Sequence, residues 1–440
     1  MTNPTLVLTA RRNAVLAGVG STADVLVRLQ APELPDGPLP ERRPLHLALV
    51  IDRSGSMSGP PLAEARRCAD FVVDGLRPDD QVAVISYDSE VATDWPLTPP
   101  ADKPSIHRAI ARIHERGMTN LHGGWLEGAG QLAPVTRSDV LSRVILLSDG
   151  QANEGLTDVD AIAAQCAELA EAGVTTSTYG LGHHFNEDLM VAMARSGQGN
   201  SYYGESAEDL MDPFREELAL LEALCARRVD LKIETPLGIG VEILNGYALV
   251  EPGVWRLPDL AYAGEAWAVV RLTIEDGVAT EGEPTHLMKV SARWQDPEGH
   301  QDAVPDKLLE LPAMPAAAYA AVAESSLVAK RVQELTMANL QDAARIAARR
   351  HDWANVDRVL YEAEEMAQGN PWLQETLETL RGIAAERDAV MLSKESLYSS
   401  QRMRTRLSMS VDEPGRTDLE MPEYLRRKRA QGRAAPRERR

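Results

Sequence analysis

The sequence predicts an α/β protein: a mostly parallel sheet flanked by helices, inserted in or flanked by an antiparallel β-sandwich, then a C-terminal helical bundle and a disordered tail. Three observations carry this. Continuous apolar runs alternate with helix-period segments in the first half of the chain, segments of two-residue periodicity stand on both sides of them, and an Ala/Leu/Glu/Arg-rich helical stretch follows. At 440 residues the chain exceeds what one core serves, so two or three domains are expected.

In chain order, residues 1–42 hold TLVLTARRNAVLAGVGSTADVLVRLQ, whose alternating apolar and polar residues read as the first strands of the sandwich. Residues 43–223 form the α/β domain. Its strands are LHLALVI (45–51), VAVIS (82–86), VILLS (144–148) and VTTSTYGLG (174–182), continuous because both faces are covered. Between them PPLAEARRCADFVVDGL, KPSIHRAIARIH, LHGGWLEGAGQLAP and DVDAIAAQCAELAEAG repeat apolar residues three and four apart, as amphipathic helices do. Residues 229–312 return to alternation, clearest in VDLKIETPLGIGVEILNGYALV and EAWAVVRLTIEDG, and complete the sandwich. Residues 315–399 read as three or four helices. Two of them form a hairpin turning at Gly369-Asn370-Pro371, with Trp353 and Trp372 as packing residues at its ends. Residues 400–440 are rich in charge and poor in large apolar residues, a disordered basic tail.

Composition narrows the function classes. A hydrophobic share of 44% and a charged share of 25% belong to a globular protein, and no apolar run is long enough to span a bilayer. In MTNPTLVLTARRNAVLAG the arginines follow the apolar stretch, so no signal peptide is expected. Cys68, Cys166 and Cys225 are widely spaced, each within a helix-like pattern, and read as reduced core thiols, so a cytoplasmic location is expected. The net charge of −20 sits on the folded body, since residues 399–440 carry twelve Arg/Lys against six Asp/Glu. An acidic body argues against nucleic-acid binding by the folded part.

The chemistry gathers at strand ends. In LVIDRSGSMSG an apolar strand stops at Asp52, and Ser54 and Ser56 follow in a glycine-containing turn. ERGMTNLHGG brings Thr119, and VILLSDG ends on Asp149. In an open parallel sheet, ligands collect beyond the carboxyl ends of the strands, where these loops lie. On its own the first loop also reads as an Asp capping the next helix. With Thr119 and Asp149 the set becomes two carboxylates and three hydroxyls, all oxygen, which suits a hard divalent cation better than zinc or copper. Mg²⁺ is expected, with Mn²⁺ or Ca²⁺ as alternatives. A position stays open for a Glu or Asp carboxylate from a partner protein.

Asp52-x-Ser54-x-Ser56, Thr119 in GMTNL and Asp149 in LLSDG together resemble the metal-ion-dependent adhesion site of von Willebrand factor type A domains. The resemblance covers roughly residues 43–223. In detail it is similar to bacterial proteins related to calcium-activated chloride channel regulators and inter-alpha-trypsin inhibitor heavy chains. It implies a Rossmann-like sheet, direct ligation of Mg²⁺ by Ser54, Ser56 and sometimes Thr119, and water-mediated roles for Asp52 and Asp149. Met118 stands where many relatives have glycine before the threonine.

Enzymatic readings fit less well. A nucleophile elbow needs Gly-x-Ser-x-Gly, whereas Gly55-Ser56-Met57-Ser58-Gly59 centres on Met57, and no phosphate-binding Gly-Lys-Ser/Thr is present. His183 and His184, adjacent at a strand end, would point to opposite faces and read as loop residues. His122 reads as a helix-start residue or as a lining of the ligand surface. The expected function is non-enzymatic, Mg²⁺-dependent protein binding or scaffolding. The alternative is an accessory subunit of a AAA+ (MoxR-type) ATPase machine for metal insertion or complex remodelling.

Overall fold

The computed structural model describes residues 3–33, 43–149, 152–181, 186–204, 221, 223–296, 298–405 and 408–409. The chain forms two compact units, one from residues 1–39 and 223–440, the other from residues 40–222. It opens with β1 (Thr5–Ala10), β2 (Val15–Leu16) and β3 (Ser21–Gln30). β1 and β3 are antiparallel, with Thr5 opposite Gln30 and Ala10 opposite Val25.

The second unit is a six-stranded sheet of β4 (Leu45–Asp52), β5 (Gln81–Tyr87), β6 (Val91–Thr98), β7 (Leu141–Ser148), β8 (Val174–Leu181) and β9 (Gln198–Gly204). The spatial order is β6-β5-β4-β7-β8-β9, parallel except for β6. Every residue of β4, β7 and β8 is buried, which is why these segments are continuous apolar or small-residue runs. Among the described residues, five helices accompany them: α1 (Pro60–Gly75), α2 (Lys103–Ala111), α3 (Leu121–Leu132), α4 (Val159–Glu171) and α5 (Glu187–Ser196). Asp102, Asn120, Asp158 and Asn186 cap the last four by accepting a first-turn amide. Leu121 and Trp125 of α3, Ile162 of α4 and Met193 of α5 share a core with Ala48, Val50, Ile85 and Val144. Leu47, Leu49 and Ile51, which alternate to the opposite face of β4, are fully buried too. β6 was not among the expected strands. VATDWPLT contains Pro96, which has no amide to give to a ladder, and it survives because β6 is an antiparallel edge.

The chain then returns to the first unit with β10 (Leu224–Glu234), β11 (Ile239–Ile243), β12 (Leu249–Glu251), β13 (Val254–Arg256), β14 (Leu260–Ala261), β15 (Gly264–Ile274), β16 (Pro284–Gln295) and β17 (Gln301–Met314). One sheet runs β1-β3-β15-β11 and the other β12-β13-β10-β16-β17-β2, with β14 beside β10. Val27, Leu29, Leu231, Val270, Leu287 and Trp294 fill the single core between them, as in a β-sandwich. The pairing of β2 with β17, Val15 opposite Ala313, is parallel rather than antiparallel.

Helices α6 (Ala316–Ala321), α7 (Ser326–Arg349), α8 (Trp353–Ala367), α9 (Pro371–Ala385) and α10 (Ala389–Thr405) complete this unit. Trp353 and Trp372 pack, partly buried, against the core of the bundle. Val328, Val332 and Leu335 of α7 pack on Leu26, Trp267 and Val269 of the sandwich, and the buried Arg331 guanidinium lies 4.6 Å from the Trp267 ring centroid. One expectation is corrected here. Residues 400–405 belong to α10 rather than to a disordered tail. Ser400 Oγ donates to Asp342 Oδ1 at 2.9 Å and Arg404 Nη1 to Asp342 Oδ2 at 2.6 Å, so the serines and charges of this segment are spent on α7. A short strand, β18 (Ser408–Met409), pairs with β15. Residues 406–407 and 410–440, the remainder of the expected tail, lie outside the described residues.

Among the described residues no helix is long and apolar enough to cross a membrane. Cys68, Cys166 and Cys225 are buried and unbridged, and burial pushes each thiol up to about 12.

Candidate metal centre

The parallel sheet reverses its order at β4. The chain steps from β4 to β5 on one side and later takes up β7 on the other, which opens a crevice at the carboxyl ends of β4 and β7. β4 ends on Asp52, and Asp149 follows directly after β7.

Asp52 is fully buried. Its Oδ1 accepts the Ser54 amide at 2.9 Å, and its Oδ2 accepts the hydroxyls of Ser148 at 2.5 Å and Tyr87 at 3.3 Å. These donors are neutral. Burial and then the negative charge of Asp149 push the Asp52 carboxyl from its usual 3.8 up to about 6, although the bonds from Ser148 and Ser54 pull the other way. Asp149 is 6% exposed. Ser54 is buried with its Oγ 3.1 Å from that of Ser56, which is exposed.

Thr119 is 2% exposed, and its loop is tied to both of its neighbours. The Gly55 amide donates to Gly117 O at 3.2 Å and the Arg116 amide to Arg53 O at 2.8 Å, which joins the threonine loop to the serine loop. On the other side the Thr119 amide donates to Asn153 Oδ1 at 2.8 Å, while Thr119 O accepts the amides of Asn153 and Glu154. Asp52, Ser54 and Ser56 thus share one turn, Asp149 acts electrostatically on Asp52, and Thr119 is laced between the first and third loops.

These residues fit a hard cation. The available donors are carboxylate and hydroxyl oxygens, and two like-charged buried carboxylates are at odds with each other until a positive charge stands beside them. A second gathering of ligand-type side chains lies on the β16–β17 hairpin. There Asp296, Glu298 and His300 bring ligand atoms within 4.8 Å of one another, but on the surface.

Sequence reasoning missed the supports. Tyr87 and Ser148 hold Asp52, and Asn153 holds Thr119. Tyr87 ends the VAVIS strand and Ser148 stands inside LLSDG, so strand-end position was the available signal; Asn153 gave none. His122 turns towards α4, its Nε2 2.8 Å from Gln165 Oε1 and its ring 5.9 Å from that of Trp125. That is a helix-start packing role. His183 and His184 lie outside the described residues.

An open α/β sheet with an oxygen-rich cluster of loops at its switch point defines a ligand-holding domain of the doubly wound class. Residues 46–216 match the model of the von Willebrand factor type A domain, and the chain carries a domain of that family. Such domains mediate protein–protein interactions, often through a bound divalent metal. The chain is 30% identical over 215 residues to protein sll0103 of Synechocystis sp., covering 48% of this chain and 50% of that one. It is 27% identical over 188 residues to inter-alpha-trypsin inhibitor heavy chain H3 of Mus musculus, covering 40% of this chain and 21% of that one. It therefore spans half or less of the length of these curated relatives. A solved structure, von Willebrand factor type A from Catenulispora acidiphila, shares the fold over 90% of this chain and 96% of its own, with a TM-score of 0.71 and 18% identity. The shared fold thus extends well beyond the matched domain.

Proposed function

We propose that this chain is a non-enzymatic binding or scaffold protein whose type A domain captures an Asp or Glu side chain of a partner through Mg²⁺, with Mn²⁺ or Ca²⁺ as substitutes. Asp52, Ser54, Ser56, Thr119 and Asp149 would hold the ion. The observation that supports this most directly is the pair of buried acids, Asp52 and Asp149, set among hydroxyls, with Asp52 pushed up to about 6 by burial and its neighbour's charge. When bound, the ion supplies positive charge and a coordination position for an anionic oxygen. The chain's own part is to keep that charge available. Ser54, Ser56 and Thr119 offer neutral oxygens that do not cancel it, and the exposed Ser56 leaves the centre open to an incoming acid. A hydrolytic use of Ser54 would need Asp52 as its base, and that carboxylate is already engaged by the Ser54 amide and the hydroxyls of Ser148 and Tyr87. The reading as an ATPase accessory subunit rests on no feature of the described residues.

Calorimetric titration with Mg²⁺ tests the proposal. Wild-type protein should give a saturable heat, and the double variant Asp52→Ala, Ser54→Ala should give none. Equal heats from the two proteins would overturn it.

A further inference from the structure

Two ligand-bearing loops meet at the candidate centre, and one side chain outside the motif holds them both. Asp88 follows β5 directly and is 1% exposed. Its Oδ2 accepts Arg53 Nε at 2.9 Å and Arg116 Nε at 2.7 Å, and its Oδ1 accepts the Glu90 amide at 2.7 Å. Its backbone carbonyl accepts the Asn120 amide at 2.9 Å. Arg53 stands between Asp52 and Ser54, Arg116 lies three residues before Thr119, and Asn120 follows Thr119. The chain passes Asp88 so closely that a Cβ on Gly117 would stand 3.2 Å from Asp88 Cβ, and Gly117 takes φ +70°, a region that favours glycine.

We propose that Asp88 is a positioning residue for the metal centre: by clasping Arg53, Arg116 and the Asn120 amide, it sets Ser54 and Thr119, on separate loops, to face one ion. The role rests on the Mg²⁺ reading above. It follows from where the side chain acts. Arg53 is the residue immediately before Ser54 and Arg116 lies three residues before Thr119, so slack in either of these bonds reaches a ligand-bearing loop, while the Asn120 amide stays on the Asp88 backbone carbonyl. The chemistry of the clasp is specific. One carboxylate oxygen can receive two guanidinium N–H groups, whereas an amide in its place must offer an NH₂ group to one set of donors or the other. Groups that orient metal ligands from outside the coordination sphere change affinity by about 10–100-fold when lost.

The test uses the full chain and three proteins: wild type, Asp88→Asn, and Arg116→Gln, at a side chain that is 55% exposed. Mg²⁺ affinity is measured by calorimetry, unfolding midpoints are taken in chelator, and amide exchange is followed at residues 116–120 in chelator. Positioning predicts a Mg²⁺ affinity weakened about 10–100-fold in Asp88→Asn and by a smaller factor in Arg116→Gln, with faster exchange at 116–120 in both. A purely structural role would lower the midpoints and leave the affinity of the folded protein as it was, and that result overturns the proposal. Should Asp88→Asn fail to fold, Arg116→Gln decides by the same readouts. Should wild-type protein give no Mg²⁺ heat, the metal reading falls and the positioning role falls with it; a wild-type heat with unchanged affinity in both variants overturns the positioning role alone.

Discussion

Asp52 lies fully buried at the end of β4, raised to about 6 by that burial and then by the charge of Asp149; Asp296 lies at the turn of the β16–β17 hairpin beside Glu298 and His300, and His300 is 78% exposed. Both places gather acids, yet their carboxyls shift in opposite directions. Burial acts first on each and would raise it. At Asp296 the backbone and ring of His300 more than offset it, through bonds at 2.8 and 3.2 Å, and the carboxyl is lowered. At Asp52 the hydrogen bonds do not overcome burial and the charge of Asp149. Asp296 in the surface cluster is already bonded by the amide and the imidazole of His300, so the proximity of its ligand atoms demands nothing more. The buried pair carries an electrostatic cost that a cation would relieve. Proximity of acids is therefore a weaker sign of a metal centre than acids held close where water does not reach.

The largest expected effect that sharpens this contrast is a pH slope in metal-free protein. Asp52 keeps its proton up to about 6 when folded and only to its usual 3.8 when unfolded. Between those values the folded chain binds more protons, so stability falls as pH rises through the window and levels off above it. The loss is about 3 kcal/mol, readable from urea midpoints in chelator between pH 4 and 7. Asp52→Asn should lack the slope; a wild-type curve as flat as the variant's would erase the contrast. Asp296 has the opposite sign, giving stability above its unfolded value that fades as pH falls through the lower folded one.

A smaller effect comes from Tyr87→Phe. The ring keeps its place, since a Cβ on Gly124 would approach it to 2.3 Å and glycine leaves the room, but the hydroxyl beneath Asp52 is lost. Stability at pH 7 should drop by about 1 kcal/mol in urea unfolding, and no drop would mean that the hydroxyl gives Asp52 no support. Smallest of all, Asp296→Ala should change stability by less than about 0.5 kcal/mol and leave the Mg²⁺ titration as it was. A Mg²⁺ heat that vanished in this variant would move the metal to the hairpin.

The buried strands are legible in the sequence because burial on both faces leaves no alternative to an apolar run, as in LHLALVI and VILLS. Asp52 and Asp149 are legible as strand-end acids for the same reason. β6 is hidden, because an edge strand tolerates Asp94 and Pro96 and so loses its signature. The end of α10 is hidden as well. Ser393, Ser396, Ser399 and Ser400 are buried there, against the usual rule for serine, so the apolar stripe that would announce the helix is absent. Asp88, Tyr87 and Asn153 escape for a third reason. Their bonds to Arg53, Asp52 and Thr119 join positions more than 30 residues apart, and no local period records such a contact.

The pairing of β3 with β15, Gln30 opposite Glu265 and Ser21 opposite Ile274, sets a schedule for synthesis. At translation speeds of about 5–20 residues per second, β3 leaves the ribosome on the order of ten seconds or more before its long partner exists. During that interval the entire α/β unit is made, while Val25, Val27 and Leu29 have only β1 to cover them. A nascent chain would thus carry a complete α/β unit and an unfinished sheet at once.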